Sequence, residues 1–375
     1  MQVERFLEII NSDFYTGVPD SLLKPLCDYL SNTFGSDPTR HIIAANEGNC
    51  AAIAAGYHLA TGKIPLVYMQ NSGEGNIINP AASLLNSRVY AIPELFVIGW
   101  RGEPGTKDEP QHIFQGEVTL KLLDDMEISH FTVSDKTTEA ELQSAMKKFR
   151  MDFSIGKSAA FVIRQNALTY EGKPDYQNEF SLSREQAIKQ IAAAAGNSPI
   201  ISTTGKISRE LYALRETADE SHSRDFLTVG SMGHASSIAL SIALNKPRDK
   251  IWCIDGDGAV IMHMGALAVI GSIAPKNLIH IAINNGAHET VGGMPTAAQN
   301  SDISQIALSC GYPKALTVKT SDELNAALAE AKAADCLTMI EVKCAVGSRP
   351  DLPRPKEKPA DNKTAFMQYI DQFSP

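Results

Sequence analysis

Short apolar runs rich in strand-forming residues alternate with helical stretches along almost the whole of this 375-residue chain. Such alternation is typical of parallel sheets, because two parallel strands need a crossover connection, which is usually a helix. The predicted strands of the first half cover residues 14–18, 41–45, 65–69, 95–100, 130–133 and 159–164. Those of the second half cover residues 199–202, 226–229, 250–254, 278–283, 315–318 and 337–342. We therefore expect an α/β protein with two doubly wound parallel-sheet domains.

The boundary between the halves is predicted from a polar stretch, residues 167–182, which contains glycine and proline and has no regular apolar spacing. A helix then begins after Ser183, with Gln186 three residues further on, which is the spacing of a capping box. The predicted domains are residues 1–166 and residues 183–375, the second with a C-terminal tail, and 167–182 is the linker. Other predicted helices cover residues 20–30, 48–59, 138–149 and 259–273.

The composition argues against several classes of function. A net charge of −9 disfavours nonspecific binding to nucleic acid or to an anionic membrane. The six cysteines are scattered without the spacing of a metal site, which predicts reduced thiols in a cytoplasmic protein. The N-terminus has no signal-peptide pattern, and no apolar run approaches the roughly 18 residues that a membrane span needs. We expect a cytoplasmic protein that binds a small molecule.

Polar residues follow two neighbouring predicted strands in the second half. Gly256, Asp257 and Gly258 come after one strand, and Asn285, 28 positions beyond Asp257, comes after the next. The carboxyl ends of parallel strands are where α/β sheets bind ligands. A carboxylate and an amide oxygen are suitable ligands for Mg²⁺ and leave positions open for phosphate oxygens and water. The alternative is an ordinary turn after each of two core strands.

Two further turns in the second half contain glycine and lie between a predicted strand and a helix. Thr204 and Gly205 follow the strand at residues 199–202, and residues 230–234 follow the next strand. Backbone N–H groups at such turns, together with a helix N-terminus, favour a diphosphate group. Each turn taken alone is also explained as an ordinary connection of an α/β sheet.

Glu47 stands between a predicted strand and an alanine-rich helix in the first half. The helix dipole and capping favour any acidic residue at a helix start, so a structural role is the simplest interpretation. The surrounding pattern is more specific. Glu-Gly is followed by Ala-x-x-Ala-x-Gly-Tyr and then by Thr61-Gly62.

Together these motifs resemble the two cofactor-binding halves of enzymes that use thiamine diphosphate (ThDP). The resemblance to the ThDP-dependent decarboxylases rests on two patterns. The first is Gly256-Asp257-Gly258 followed by Asn284-Asn285 in the second half, and the second is the Glu-Gly pattern of the first half. The resemblance implies that Asp257, Asn285 and the Ala287 carbonyl hold Mg²⁺. It also implies that Glu47 bonds to N1′ of the aminopyrimidine, where it stabilises the tautomer that removes the C2 proton.

The resemblance implies further cofactor contacts in the second half. Met232 would support the bent conformation of ThDP, and the Gly230 carbonyl would accept a hydrogen bond from its 4′-amino group. The other residues expected to contact the cofactor are Thr204, Gly205, Ser231, Gly256 and Gly258.

Among these enzymes, a short chain without a middle domain is similar to the phosphonopyruvate and sulfopyruvate decarboxylases. The local sequences that carry this similarity are residues 15–20, 100–102, 108–112, 285–289 and 349–355. Because sulfopyruvate decarboxylases often divide the two halves between subunits, one chain of this length favours conversion of phosphonopyruvate to phosphonoacetaldehyde and CO₂. The alternatives are decarboxylation of 3-sulfopyruvate or another 2-oxo acid and, in a different class, a non-catalytic nucleotide-binding α/β protein.

A polar loop of the first half supplies the expected contacts to an anionic head group. Arg101, Lys107 and His112 lie in this loop. A forked guanidinium suits a phosphonate better than an ammonium does, which favours Arg101, and the similarity makes His112 a proton donor or an anion contact. An ordinary solvent-exposed loop is the alternative. Arg349 and Arg354 in the tail are other possible anion contacts.

Three further positions follow from the resemblance. Related decarboxylases carry an acidic residue at the position of Asp20 that assists proton transfer, although helix capping explains it equally well. Glu74 stands where we expect an apolar residue, and Pro353 where we expect glycine. In this superfamily the glutamate of one subunit meets the diphosphate half of another, so we expect a homo-oligomer with active sites between subunits.

Overall fold

The computed structural model describes residues 1–35 and 37–373, which form two compact units. Unit 1 comprises Met1–Asp175 and unit 2 comprises Tyr176–Pro375. The division falls inside residues 167–182, the stretch that we interpret as a linker. Within the described residues, no helix combines the length and the apolar character that crossing a bilayer would require.

Unit 1 is a parallel six-stranded sheet with helices, in the strand order β2-β1-β3-β4-β6-β5. Its strands are β1 (Tyr15–Gly17), β2 (His41–Ile43), β3 (Leu66–Gln70), β4 (Leu95–Gly99), β5 (Ser129–Val133) and β6 (Ala159–Ile163). Its helices are α1 (Val3–Ile10), α2 (Lys24–Phe34), α3 (Glu47–Thr61), α4 (Glu74–Pro80), α5 (Pro110–Asp125) and α6 (Glu139–Ser154). Every residue of β4 and β6 is buried, as expected for central parallel strands covered on both faces.

Unit 2 contains a second parallel six-stranded sheet, in the order β13-β14-β10-β9-β7-β8, and a two-stranded antiparallel hairpin, β11-β12. Its strands are β7 (Ile200–Ser202), β8 (Asp225–Leu227), β9 (Ile251–Gly256), β10 (Leu278–Asn284), β11 (Ala287–His288), β12 (Met294–Pro295), β13 (Lys314–Val318) and β14 (Thr338–Lys343). Its helices are α7 (Arg184–Ala195), α8 (Lys206–Thr217), α9 (Ala235–Asn245), α10 (Asp257–Met262), α11 (Gly265–Ile273), α12 (Ile303–Ser309), α13 (Ser321–Ala333) and α14 (Pro359–Ile370).

A large apolar cluster of unit 2 lies on one face of its sheet. Side chains of β9 and β10 such as Trp252, Ile254 and Ile281 pack there with apolar residues of α7 and α13, including Ile188 and Leu324. At the edge of the same sheet, the Asn362 side chain of α14 binds the backbone of β8. Its Oδ1 accepts from the Leu227 N–H at 3.1 Å, and its Nδ2 donates to the Asp225 carbonyl at 2.9 Å.

The predicted fold class is confirmed, and each of the predicted strands has a counterpart within a few residues. The prediction of one helix over residues 259–273 is wrong, because two helices, α10 and α11, cover this stretch. His263 separates them with non-helical backbone angles (φ −130°, ψ 47°). The helix α4 and the hairpin β11-β12 have no counterpart in the prediction. Both lie in polar, glycine-containing segments whose composition is typical of loops.

Candidate active site

The carboxyl ends of β9 and β10 bring together the two polar motifs of unit 2. These strands are parallel neighbours, and Ile283 lies opposite Gly256 in their register. Asp257 is therefore the first residue past the end of β9, and Asn285 the first past the end of β10. The structure places both residues at the same edge of one sheet.

Asp257 is a buried carboxylate at the start of α10. Thr296 Oγ1 donates to its Oδ2 at 2.5 Å. Burial raises the pKa of the Asp257 carboxyl to about 6. Hydrogen bonds from Thr296 and from the backbone act in the opposite direction but do not cancel this effect. Because burial raises this pKa, the protein by itself does not supply enough positive charge to balance the carboxylate. A bound cation would supply that charge.

The Asn285 amide is held in one orientation by hydrogen bonds on both of its polar atoms. Its Oδ1 accepts from the Ala287 N–H at 3.0 Å, and its Nδ2 donates to Glu289 Oε2 at 2.7 Å. The Asn285 carbonyl accepts from Asn178 Nδ2 at 2.9 Å. The side-chain oxygen keeps a second lone pair that a metal ion could use.

Sequence reasoning missed a buried ion-pair network that supports this loop. Glu289 binds Arg184 Nη1 at 2.7 Å and Lys206 Nζ at 3.0 Å, and Arg184 also forms a bidentate pair with Glu210. Burial alone would raise the pKa of the Glu289 carboxyl, but Arg184 and Lys206 lower it below its usual value. Glu289 therefore stays ionised and fixes the Asn285 amide group. The sequence offers no local signal for these partners, because they lie on different elements.

The glycine turns of unit 2 converge on the same edge. A Cβ on Gly258 would lie 3.2 Å from His288 Cε1 and 3.3 Å from Met232 Cε, so these three residues are close neighbours. A Cβ on Gly205 would lie 2.8 Å from Thr290 Oγ1, which brings that turn to the loop after Asn285. Both positions are crowded, and because glycine has no side chain the backbone there remains accessible.

Two polar features of these turns suit a bound anion. Thr203 Oγ1 is buried and has no hydrogen-bond partner among the described residues. Ser231 adopts a left-handed backbone conformation (φ 51°), which is uncommon for a residue other than glycine and is frequent at functional turns. The exposed Ser231, with the half-buried Thr204, Gly205, Gly230 and Gly256, lines the strand ends of unit 2.

In unit 1, Glu47 is the first residue of α3 and only 5% exposed. Its Oε2 accepts from Asn76 Nδ2 at 2.6 Å. Capping of α3 is performed by Asn46, whose side chain accepts from the Asn49 N–H. A Cβ on Gly73 would lie 2.4 Å from Glu47 Cγ, so this glycine gives the glutamate its space. Asn46 therefore caps α3, and Glu47 is a buried carboxylate that is not needed as the cap.

Glu74, which departs from the expected pattern, is buried as the first residue of α4. It is 1% exposed, and neither carboxylate oxygen has a hydrogen-bond partner among the described residues. Burial raises the pKa of the Glu74 carboxyl to about 8. The side chain therefore exists mainly as the neutral acid at pH 7 and fills its site much as an apolar residue would.

Asp20 is fully buried between β1 and α2. Its Oδ1 accepts from Gln70 Nε2 at 2.6 Å, and its Oδ2 accepts from the backbone N–H groups of Leu22 and Leu23. Burial raises the pKa of the Asp20 carboxyl, although Gln70 and Arg101 oppose this change. The bonds to Leu22 and Leu23 are those of a turn that leads into α2, so Asp20 has a structural role whatever else it does.

Comparisons with known proteins show the family of this chain. Residues 2–151 match the thiamine pyrophosphate enzyme family, N-terminal TPP binding domain, and residues 203–342 match its C-terminal TPP binding domain. The chain is 35% identical to a phosphonopyruvate decarboxylase of Streptomyces viridochromogenes, over 94% of this chain and 90% of the relative. The chain belongs to the phosphonopyruvate decarboxylase family of thiamine pyrophosphate (ThDP) enzymes.

Two further relatives fit the same assignment. The phosphonopyruvate decarboxylase of Streptomyces hygroscopicus is 34% identical, over 94% of this chain and 89% of the relative. The sulfopyruvate decarboxylase of Methanosarcina acetivorans is 29% identical, over 98% of this chain and 97% of the relative. The resemblance to ThDP-dependent decarboxylases is thus confirmed.

Of the proposed substrate residues, Arg101 and Lys107 lie in the loop between β4 and α5. The prediction that His112 lies in the same loop is wrong, because α5 begins at Pro110 and His112 belongs to its first turn. Arg101 forms a bidentate pair with Asp108, through Nε at 2.8 Å and Nη2 at 2.5 Å, and its Nη1 donates to Ser21 Oγ at 2.9 Å. His112 is 9% exposed, and its Nδ1 has no hydrogen-bond partner among the described residues. Burial and the nearby Arg101 lower the pKa of the His112 imidazole. Lys107 is exposed on the same loop.

The tail arginines lie in unit 2. Arg349 pairs with Glu185 through Nε at 3.1 Å and with Asp351 through Nη1 at 3.1 Å, and Arg354 is exposed. Pro353 offers its carbonyl to Arg209 Nε at 2.9 Å. The carbonyl at position 353, which any residue would supply, thus helps to hold the tail on α8.

Proposed function

We propose that this protein catalyses the nonoxidative decarboxylation of 3-phosphonopyruvate to phosphonoacetaldehyde and CO₂, with ThDP and Mg²⁺ as cofactors. The observation that carries the proposal is the pair Asp257 and Asn285 at neighbouring strand ends, in a chain whose relatives are named phosphonopyruvate decarboxylase. The buried Glu47 of unit 1 adds the acid–base group that a simple nucleotide-binding protein would not need. It argues against the non-catalytic alternative.

The residues of unit 2 suit a magnesium diphosphate. Asp257, the Asn285 side-chain oxygen and the Ala287 carbonyl would supply three oxygen ligands, and diphosphate oxygens and water would complete about six. The raised pKa of Asp257 and the partnerless Thr203 hydroxyl are the observations that support this fit. Glu289 holds the Asn285 Nδ2, which leaves Oδ1 for the metal. Met232, close to Gly258, would support the bent cofactor.

Bound ThDP would supply the nucleophilic carbon and accept the electrons released as CO₂ leaves. The protein would control protons and charge around it. Glu47 would hold a proton at N1′ of the aminopyrimidine, and Asn76 would keep its carboxylate in place. Asp20 and His112, both buried with shifted pKa values, would assist proton transfer to the product. Arg101, Lys107 and His112 would compensate the charge of the phosphonate.

We further propose that the protein acts as a homo-oligomer, in which Glu47 of one subunit and Asp257 of another serve one active site. The family resemblance supports this arrangement. We also propose a cytoplasmic location, since the six cysteines are free thiols in the described residues.

The test is aldehyde production from phosphonopyruvate, 3-sulfopyruvate and pyruvate by the purified protein with ThDP and Mg²⁺. We expect phosphonopyruvate to have the highest kcat/KM and the Asp257→Ala variant to be inactive on all three substrates. A higher kcat/KM for 3-sulfopyruvate would favour the second candidate function, to which the Methanosarcina acetivorans relative points. Absence of any aldehyde with the cofactors present would contradict both.

A further inference from the structure

A second group of potential ligands lies in unit 2, inside the sheet rather than at its end. Cys253, Asp255 and His280 each contribute one ligand atom, and these atoms lie within 4.8 Å of one another. All three residues are 0% exposed. We call them the Cys-Asp-His cluster. None of them belongs to the proposed cofactor site.

The fold explains why these side chains meet. Cys253 and Asp255 are two positions apart in β9, so their side chains share one face of the sheet. His280 of β10 lies directly opposite Cys253 in the parallel register. The intervening Ile254 and the flanking Trp252 point to the opposite face, into the apolar core. Because the three ligands come from neighbouring strands, their separation in the sequence does not show the spacing of a metal motif.

Two atoms of this cluster lack hydrogen-bond partners. Asp255 Oδ2 and His280 Nε2 are buried and have no hydrogen-bond partner among the described residues. The other polar atoms of both side chains are engaged. Asp255 Oδ1 accepts from the Gly256 N–H at 3.1 Å, and His280 Nδ1 bonds to the Tyr312 hydroxyl at 3.1 Å. Leaving two such groups unsatisfied in a protein interior is costly.

The distance between these two atoms supports a shared metal ion. Asp255 Oδ2 and His280 Nε2 are 3.6 Å apart, which is too long for a hydrogen bond. Two ligands of one tetrahedral Zn²⁺, each about 2.0–2.2 Å from the metal, lie about 3.4 Å apart. The bond from Tyr312 to the second ring nitrogen is also the type of contact that orients a metal-ligating histidine.

Charge and ligand chemistry favour zinc over other ions. A thiolate, a carboxylate and a neutral imidazole together carry two negative charges, which one Zn²⁺ neutralises in this buried site. The thiol loses its proton to solvent on binding. Magnesium prefers oxygen ligands alone, so the Cys-Asp-His cluster and the Asp257 site differ in the metal that they select.

We infer that Cys253, Asp255 and His280 form a buried zinc site that joins β9 to β10. Three protein ligands leave one of the four positions for water. The site would fix the relative position of the two strands whose ends carry Asp257 and Asn285. This inference does not depend on the proposed reaction.

The test measures metal content. The protein is produced in zinc-supplemented medium, dialysed against EDTA and analysed by inductively coupled plasma mass spectrometry. We expect about one zinc ion per chain in the wild type. Cys253→Ser and His280→Asn should lose it, while Cys344→Ser, which changes another buried cysteine of unit 2, should retain it. Asp257→Ala should also retain zinc while losing ThDP binding, so the two sites fail separately.

A spectroscopic measurement covers the case in which a variant does not fold. Wild-type protein refolded with Co²⁺ in place of zinc should show thiolate-to-cobalt charge-transfer absorption in the near ultraviolet, and Cys344→Ser should show it too. Zinc-free wild-type protein from supplemented cells, together with absence of this band, would overturn the inference. With these two results, the Cys-Asp-His cluster would be a group of buried polar side chains that binds no metal. Aldehyde production would remain as the separate test of the proposed reaction.

Discussion

Glu74 should make unit 1 lose stability as the pH rises, and replacing it should remove that loss. Burial raises the pKa of this carboxyl from 4.5 to about 8. Below pH 4.5 the group is protonated in both the folded and the unfolded chain, so its effect on the free energy of unfolding is constant. Between 4.5 and about 8 only the unfolded chain ionises, and stability falls by about 1.4 kcal/mol per pH unit. The total loss is about 5 kcal/mol.

The assay compares wild type with Glu74→Gln, which has a similar shape and no titration. Urea unfolding of both proteins is followed at pH 5.5 and pH 7.5 by tryptophan fluorescence. The chain has two tryptophans, so a Trp252→Phe background leaves Trp100 as the reporter of unit 1. Over these two pH units we expect wild type to lose about 2.5 kcal/mol more than Glu74→Gln. A difference between the two proteins that stays constant with pH would refute the assignment of a neutral, buried Glu74.

Three further predictions address the proposed chemistry. The pKa of Asp257 is about 6, so a proton competes with Mg²⁺ for this carboxylate at low pH. The affinity for ThDP with Mg²⁺ should therefore be about tenfold weaker at pH 5 than at pH 7. Titration by fluorescence quenching measures both affinities, and equal values would contradict this prediction. Glu47→Gln should bind ThDP yet slow exchange of the C2 proton by ~10²–10⁴-fold, measured by nuclear magnetic resonance in D₂O, and an unchanged rate would leave Glu47 with a structural role only. Arg101→Leu should raise KM for phosphonopyruvate and leave turnover of pyruvate nearly unchanged, because only the first substrate has a phosphonate that could form charge-assisted hydrogen bonds with the guanidinium. Asp108→Asn, which loosens the loop but keeps the cation, is the control, and equal losses on both substrates would assign Arg101 to loop support.

The strands and the polar residues at their ends were predictable, because both depend on local sequence patterns. Apolar runs of the β9 and β10 type must be buried on two faces, and polar residues directly after them must lie at a sheet edge. The same reasoning failed at His263, where a continuous apolar pattern hides a break between α10 and α11. It also missed α4, in which Gly75, Asn76 and Pro80 are poor helix formers.

The partners of the site residues could not be predicted, since they come from distant parts of the chain. Nothing near Glu289 indicates Arg184, which is 105 positions away, yet their ion pair positions the Asn285 amide. Arg101 illustrates the opposite limit. Its place in a polar loop suggested a free cation, while the structure gives much of its guanidinium to Asp108. Residue type and loop location indicate which chemistry is available, but pairing decides how much of it remains for a ligand.

The contact between Asn362 and β8 has a consequence for the solubility of the protein. β8 is the last strand of its sheet, and an outer strand with open N–H and carbonyl groups is a template for pairing with another molecule. The Asn362 amide occupies two of these groups in the way that a neighbouring strand would. A chain that stops before α14 should therefore form aggregates through β8, while its remaining folded fraction keeps Asp257 and Asn285 in place. The C-terminal helix would thus protect this sheet edge against self-association.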